Sequence, residues 1–451
     1  MTGPTATAPT GEIPSQEPSE AAENGSSAAA QTTGASREAA RRHLGRRWAD
    51  ADPVLRALSV ATFVSALGRG IFHAVTVLYF TFVVGLHVGE VAAVVTVGNL
   101  VGIVTSQLGG QLADRFSARR IVIGAAVIEA VGFFAYTTVT TLPLAMVVAS
   151  VVVGANSAGH SARSAIVARA FTSEARVGAR AVLRTVMNLG IAIGSAGAGA
   201  ALAVGTADAY RLTLVVAGLA YLASVLPLRR LPARVDAARP ESKPSVDERR
   251  RYRSLSPWRD RRYLALAALS GVFGMQFGLA EVGVPLWIAH HTEAPELMVA
   301  VLLVLNTTVV ILFQVPLSRG THEIRWAGTI TAIAGALMVA ACLVYAGAAE
   351  FAATGAIIML VLAALAHAFA AVTSQAGIWG LGFELARPER AGAYQGLLST
   401  GYAIGSTVAP LLVTATALTL GWWGWGILAA VFGLSALGTT AIAWRAAPRR
   451  R

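Results

Sequence analysis

Arg69 stands in a run of Leu, Gly, Ile and Phe (LGRGIF, 67–72), and Glu129 and Glu281 lie in stretches almost as free of charge. An ionisable side chain at bilayer depth is costly, so one that is retained there faces a protein interior or a wet pathway and points to function. Gly68 and Gly70 leave the Arg69 guanidinium room to reach a cavity. There it would hold an anionic group of a solute or neutralise a carboxylate, with a buried structural ion pair as the plainer alternative. Glu129 is the natural partner candidate and Glu281 the other. A carboxylate in a dry cavity can load and release a proton during a cycle; a structural pair or a hydrated vestibule position are the alternatives for both. His73, His160 and His367 also fall in apolar runs. They are candidates for a proton relay, set against hydrogen bonding between helices and, for His160 beside Arg163, simple snorkelling.

Other chemistries are excluded by single residues. Lys243 is the only lysine and sits in a polar stretch beside Pro244, so the chain has no Walker-type phosphate loop and no Schiff-base lysine in a membrane helix. Cys342 is the only cysteine, which rules out an intrachain disulfide or a multi-thiolate metal site. No histidine pair has metal-ligand spacing within one helix, and no nucleophile elbow, HExxH or paired-carboxylate motif occurs. The reading is therefore not an enzyme, without metal or cofactor, drawing any energy from an ion gradient or a partner chain, with protons the expected ion.

The elements that must position these residues are membrane helices. The chain is 55% hydrophobic and 13% charged over 451 residues, where soluble proteins carry about a quarter charged. Apolar runs recur at 54–83, 91–112, 121–140, 143–162, 182–204, 209–228, 263–289, 297–317, 326–347, 354–380, 393–418 and 423–444. At 1.5 Å rise, about 20 residues cross the hydrocarbon, so the expected fold is an all-α membrane protein of about twelve spans. The net charge of +12 is topological, not a nucleic-acid footprint. Taking the span ends to within a few residues, which leaves Arg56 and Arg184 at span edges, Arg69 is read as the one of the 36 Lys+Arg within a span and Arg211 as the one in an opposite-face loop; the rest fall before the first span, in alternate loops, or after the last. The positive-inside rule makes those segments, and both termini, cytoplasmic. The organisation that follows is a disordered tail at 1–50, a six-helix bundle at 51–228, a basic linker at 229–262, a second six-helix bundle at 263–446 and a basic end at 447–451. No cleavable leader is seen, so the first span is read as an uncleaved anchor. The halves look related: GIAIGS at 190–195 and GYAIGS at 401–406 share a register in the fifth span of each half, and Gly190, Gly194, Gly197, Gly401 and Gly405 are read as close-packing positions.

The second span ends in GGQLADRFSARR at 109–120. A glycine lets helices approach closely, and an aspartate at a helix end can face the positive N-terminus of another helix and detach from it. A solvated basic turn is the alternative, which accounts for the arginines but not for the embedded Asp114. Gly110, Asp114, Arg115, Arg119 and Arg120 resemble the signature loop of the major facilitator superfamily, and the resemblance covers about residues 50–447. It implies two pseudo-symmetric six-helix bundles and a latch formed by those five residues against the start of the eleventh span, near 391–394. Ser117 stands where the family usually has Gly and Ala118 where it often has a basic residue; the second-half loop SRGTHEIR at 318–325 keeps Arg319 and Arg325 but no aspartate.

If the family arrangement holds, the first, fourth, seventh and tenth spans line a central cavity. That selects Gln276 and Gln375 among the polar residues and Tyr79, Phe273, Phe277 and Trp379 as stacking surfaces. The tenth and eleventh spans are similar to a bacterial efflux branch, although Ala371 stands where that branch commonly has Glu, and the fifth span lacks the Gly-Pro signature of proton-coupled exporters. The expectation is a monomeric, multi-pass, proton-coupled exporter of a small organic solute in the cell membrane. An importer, a lipid flippase or a non-transporting sensor on the same fold are the alternatives.

Overall fold

A computed structural model describes residues 52–236 and 255–447. The tail at 1–50, Lys243 with the middle of the linker, and the last four residues lie outside the described residues. Twelve helical spans occupy the rest: α1 Pro53–Leu78, α2 Val88–Arg115, α3 Ala118–Tyr136, α4 Leu142–Ala170, α5 Ser173–Val204 and α6 Ala207–Arg229. After the linker come α7 Arg261–Gly278, resuming as Val284–His291, then α8 Leu297–Leu317, α9 Ile324–Gly347, α10 Ala353–Glu384, α11 Ala391–Val413 and α12 Trp422–Ala446.

Local chemistry sets the ends. Ser117 accepts from the Arg120 amide at 3.1 Å to start α3, Thr206 accepts from the Ala209 amide at 3.3 Å to start α6, and Asp260 accepts from the Arg262 and Tyr263 amides to start α7. Eleven helices among the described residues are long and apolar enough to cross a membrane. The other span is α3, which opens on Arg119 and Arg120 and carries Glu129; its partners α4 and α6 enclose that charge. Three helices run further than their hydrophobic composition suggests: α4 reaches Ala170 instead of 162, α10 reaches Glu384 instead of 380, and α5 starts at Ser173 instead of 182. Backbone hydrogen bonding continues past the hydrocarbon edge, so arginines read as loop residues ride on helices.

The packing repeats. In the first half α1 packs on α5 and α6, α2 on α4, and α3 on α4 and α6; six helices later α7 packs on α11 and α12, α8 on α10, and α9 on α10 and α12. The related GIAIGS and GYAIGS segments occupy matching seams. A Cβ on Gly194 would strike the Leu67 carbonyl of α1, and one on Gly405 would strike the Gly271 carbonyl of α7; one on Gly190 or Gly401 would likewise crowd the Phe63 or Ala267 carbonyl. Gly197 meets nothing within 4 Å, so its reading as a packing glycine is corrected. Between the halves, α2 meets α11 and α5 meets α8. The outer surface is apolar, with Leu303, Leu411, Leu434 and Trp423 each more than three-fifths exposed, as lipid contact requires. A π-helical turn at Tyr79–Val83 ends α1 and another at Leu279–Gly283 interrupts α7, and such turns often mark functional sites.

Candidate functional site

At the arginine-rich end, α2 and α11 touch backbone to backbone. A Cβ on Gly110 would hit the Gly392 carbonyl, and one on Gly392 would hit the Gly110 carbonyl and the Asp114 carboxylate. That proximity lets the Asp114 carboxylate accept from the Gly392 and Ala393 amides, both at 2.7 Å. These are first-turn amides of α11 with no intrahelical acceptor, at the positive end of the helix dipole. Arg169 of α4 completes the site, pairing with Asp114 and donating to the Ala113 carbonyl at 3.1 Å.

The signature-loop arginines divide. Arg119 donates to the Leu231 carbonyl at 2.8 Å, and its amide meets Asp236 at 3.1 Å. Ser117 donates to the same Asp236 at 2.9 Å, so the residue that departs from the family's glycine ties the linker to the loop. Arg115 and Arg120 are exposed, Arg115 lying over Phe116. Neither is bonded to Asp114 or to α11, which corrects their assignment to the latch; the arginine that pairs with Asp114 is Arg169, missed because it is 55 residues away in sequence.

Further contacts shut this end. Arg180 of α5 donates to Gln395 of α11 at 3.2 Å and to Ser164 of α4 at 3.0 Å. Arg176 pairs with Glu384 of α10 at 3.7 Å. Gln107 donates to the Ala393 carbonyl at 3.5 Å, and Thr400 to the Ile103 carbonyl at 3.4 Å. Thr400 is nine residues into α11, about 14 Å from its start. Among the described residues no hydrogen bond joins the halves beyond that point. Just past it, Asn99, Ser157, Glu281, Ala403, Ser406 and Thr407 help line a cavity of about 230 Å³.

The interior charges are arranged differently from the expected Arg69–Glu129 pair. Arg69 directs Nε to the Tyr221 hydroxyl at 3.4 Å, and Glu129 accepts from Asn156 Nδ2 at 2.8 Å. Tyr221 stands between the two charges and interacts with both. Glu129 is buried within the first half, whereas Glu281 opens onto the cavity from the α7 π turn. The reading of Arg69 as the lone cation in a span is also corrected: Arg163, Arg180 and Arg184 are half-buried or buried with it, because the last turns of α4 and the first turns of α5, which carry them, lie inside the bundle. His160 is accessible and lies within electrostatic reach of Arg69, Arg163 and Arg180.

The proposed cavity residues separate into two groups. Phe277, Gln375 and Trp379 converge: Gln375 donates to the Tyr402 hydroxyl at 3.0 Å, the Phe277 and Tyr402 rings are 5.7 Å apart, and Arg184 lies over both Phe277 and Trp379. The others are packing residues. Phe273 is fully buried against Phe432, and Tyr79 donates to the Tyr136 carbonyl at 2.8 Å. Gln276 is 1% exposed and donates to Ser374 at 3.4 Å, tying α7 to α10. His367 packs edge to face on Tyr345 at 6.1 Å within the second half. The cavity is lined from α2, α4, α7 and α11, not from the first, fourth, seventh and tenth spans; helices that are apolar all round give no polarity signal for which side faces the pathway.

The family model described as Major Facilitator Superfamily matches residues 58–410. The chain belongs to the Major Facilitator Superfamily. It is thus a multi-pass membrane transporter and not an enzyme. Among solved structures, the human organic anion transporter MFSD10 (TETRAN) superposes with a TM-score of 0.62 at 15% identity, over 86% of this chain and 99% of that one. A bacterial homologue of the iron transporter ferroportin, in an outward-facing state, gives 0.63 at 12% identity, over 87% and 98%. Both likenesses are of fold. A search of curated proteins finds no match. In this transporter the signature loop is engaged, with Asp114 seated on the second half.

Proposed function

We propose that this transporter moves a small organic solute across the cell membrane by alternating access, exporting it in exchange for protons. The observation that carries the reading is the Asp114 carboxylate on the Gly392 and Ala393 amides, which joins the halves at one end while a cavity lies beyond their last hydrogen bond at Thr400. A joint made of one carboxylate, two amides and one arginine can break and re-form as the halves rock. With the arginine-rich end cytoplasmic under the positive-inside rule, this arrangement is the outward-facing one. Glu281 opens onto the cavity and is the favoured proton carrier; Glu129, held by Asn156 inside one half, is the weaker candidate.

Inverted vesicles with an imposed pH gradient test this. Solute-dependent dissipation of the gradient, abolished by Glu281→Gln and kept by a folded wild type, supports it. Absence of solute flux under any gradient across a broad panel overturns it.

A further inference from the structure

Arg184 carries a buried charge with no counter-ion. It is 8% exposed and its Nη1 has no hydrogen-bond partner. Its neighbours are ring faces from the other half, Phe277 at 5.7 Å and Trp379 at 5.8 Å. Arg180, four residues earlier on the same face of α5, lies 5.0 Å over Trp379. Like charges at that spacing repel, and among the described residues no carboxylate comes within ion-pair distance of Arg180 or Arg184. A ring face attracts a guanidinium but brings no net negative charge.

Burying one partner of an ion pair without the other is among the more costly arrangements in a protein, and the cost disappears when an anion arrives. Arg184 is eleven residues into α5, about 17 Å from its start. Polar groups adjoin it as well: the Tyr402 hydroxyl accepts from Gln375, which leaves its own O–H to donate. An inorganic anion would satisfy the charge and leave the rings unused; a neutral apolar solute would use the rings and leave the charge unmet.

We propose that this cluster binds a small organic anion with a flat aromatic or apolar body, its acid group on Arg184, its body against Trp379 and Phe277, and a polar edge toward Gln375 and Tyr402. The assignment deepens the transport reading and rests on it for its physiological role. Because Arg184 belongs to the first half and the rings to the second, the occupant would touch both moving parts.

The test is equilibrium binding of labelled 1-naphthoate to the full chain in lipid nanodiscs, with 1-naphthamide and acetate as competitors. Saturable binding is expected, with both competitors at least tenfold weaker than unlabelled 1-naphthoate. Arg184→Gln should lower affinity at least tenfold, Arg184→Lys less, and Trp379→Leu should narrow the gap between 1-naphthoate and acetate. No saturable binding, equal competition by the amide, or unchanged affinity in a folded Arg184→Gln protein overturns the proposal. If Arg184→Gln does not fold, the acid-to-amide ratio in the wild type and the Arg184→Lys affinity decide. Proteoliposome flux separates the two readings: binding without flux under any gradient removes the transport reading alone. Gradient-driven flux of neutral solutes, with no binding of 1-naphthoate, removes the anion site alone.

Discussion

Gly110 and Gly392 meet so closely across the two halves that a methyl group on either would strike the other's carbonyl oxygen. Each glycine is where it is because nothing larger lets α2 and α11 bring Asp114 onto the helix start. Gly392→Ala should therefore hold the arginine-rich end apart. Electron–electron distances between spin labels on the α2–α3 and α10–α11 loops are expected to lengthen and broaden; an unchanged distribution would show that the contact is not limiting.

Asp114→Asn keeps the shape but replaces one accepting oxygen with a donor that faces an amide. Hydrogen bonds to a charged group are worth about 1.5–3 kcal/mol, so the balance of the two states should move by roughly tenfold or more toward the form open at that end. Cysteine accessibility from each side reads this directly. Arg169→Gln should act in the same direction, and the double variant should cost less than the sum, since the two side chains form one unit.

Tyr221→Phe removes the hydroxyl that stands between Arg69 and Glu129. Leaving buried polar groups short of a partner costs about 1–3 kcal/mol, which should lower the thermal unfolding midpoint of the purified protein. A midpoint equal to wild type would mean that Asn156 alone suffices for Glu129.

Gly405→Ala and Gly197→Ala separate the two kinds of glycine in these helices. The first forces α11 off α7 and should reduce the yield of monodisperse protein sharply. The second enters open space and should be neutral or slightly stabilising, through better helix propensity.

Ser117→Ala takes away both the cap of α3 and the bond to Asp236. A cap is worth about 1 kcal/mol, and the linker loses its tie to the α2–α3 loop. Limited proteolysis within 229–262 should be faster than in wild type, whereas Arg120→Ala, on an exposed residue, should leave the rate unchanged.

The sequence by itself determined the twelve spans, the relation between the halves, and the place of Gly110 and Asp114 at the end of the second span, because each is written in local terms: runs of apolar residues, a repeated segment, a short motif. Only the tertiary structure decided what those residues meet. Arg169 reaches Asp114 from another helix, Tyr221 separates the charges expected to pair, and Phe273 turns into the core while Phe277, one helical turn on, turns toward Arg184. Arg180 looks like a loop's topological charge, and Arg184 like one at the very edge of a span, until α5 is seen to start at Ser173 and carry both between the halves. The reason is physical. Lipid makes every face of a span apolar, so hydrophobic periodicity, which marks the buried side of a soluble helix, marks nothing here, and orientation is settled by packing between helices far apart in the chain.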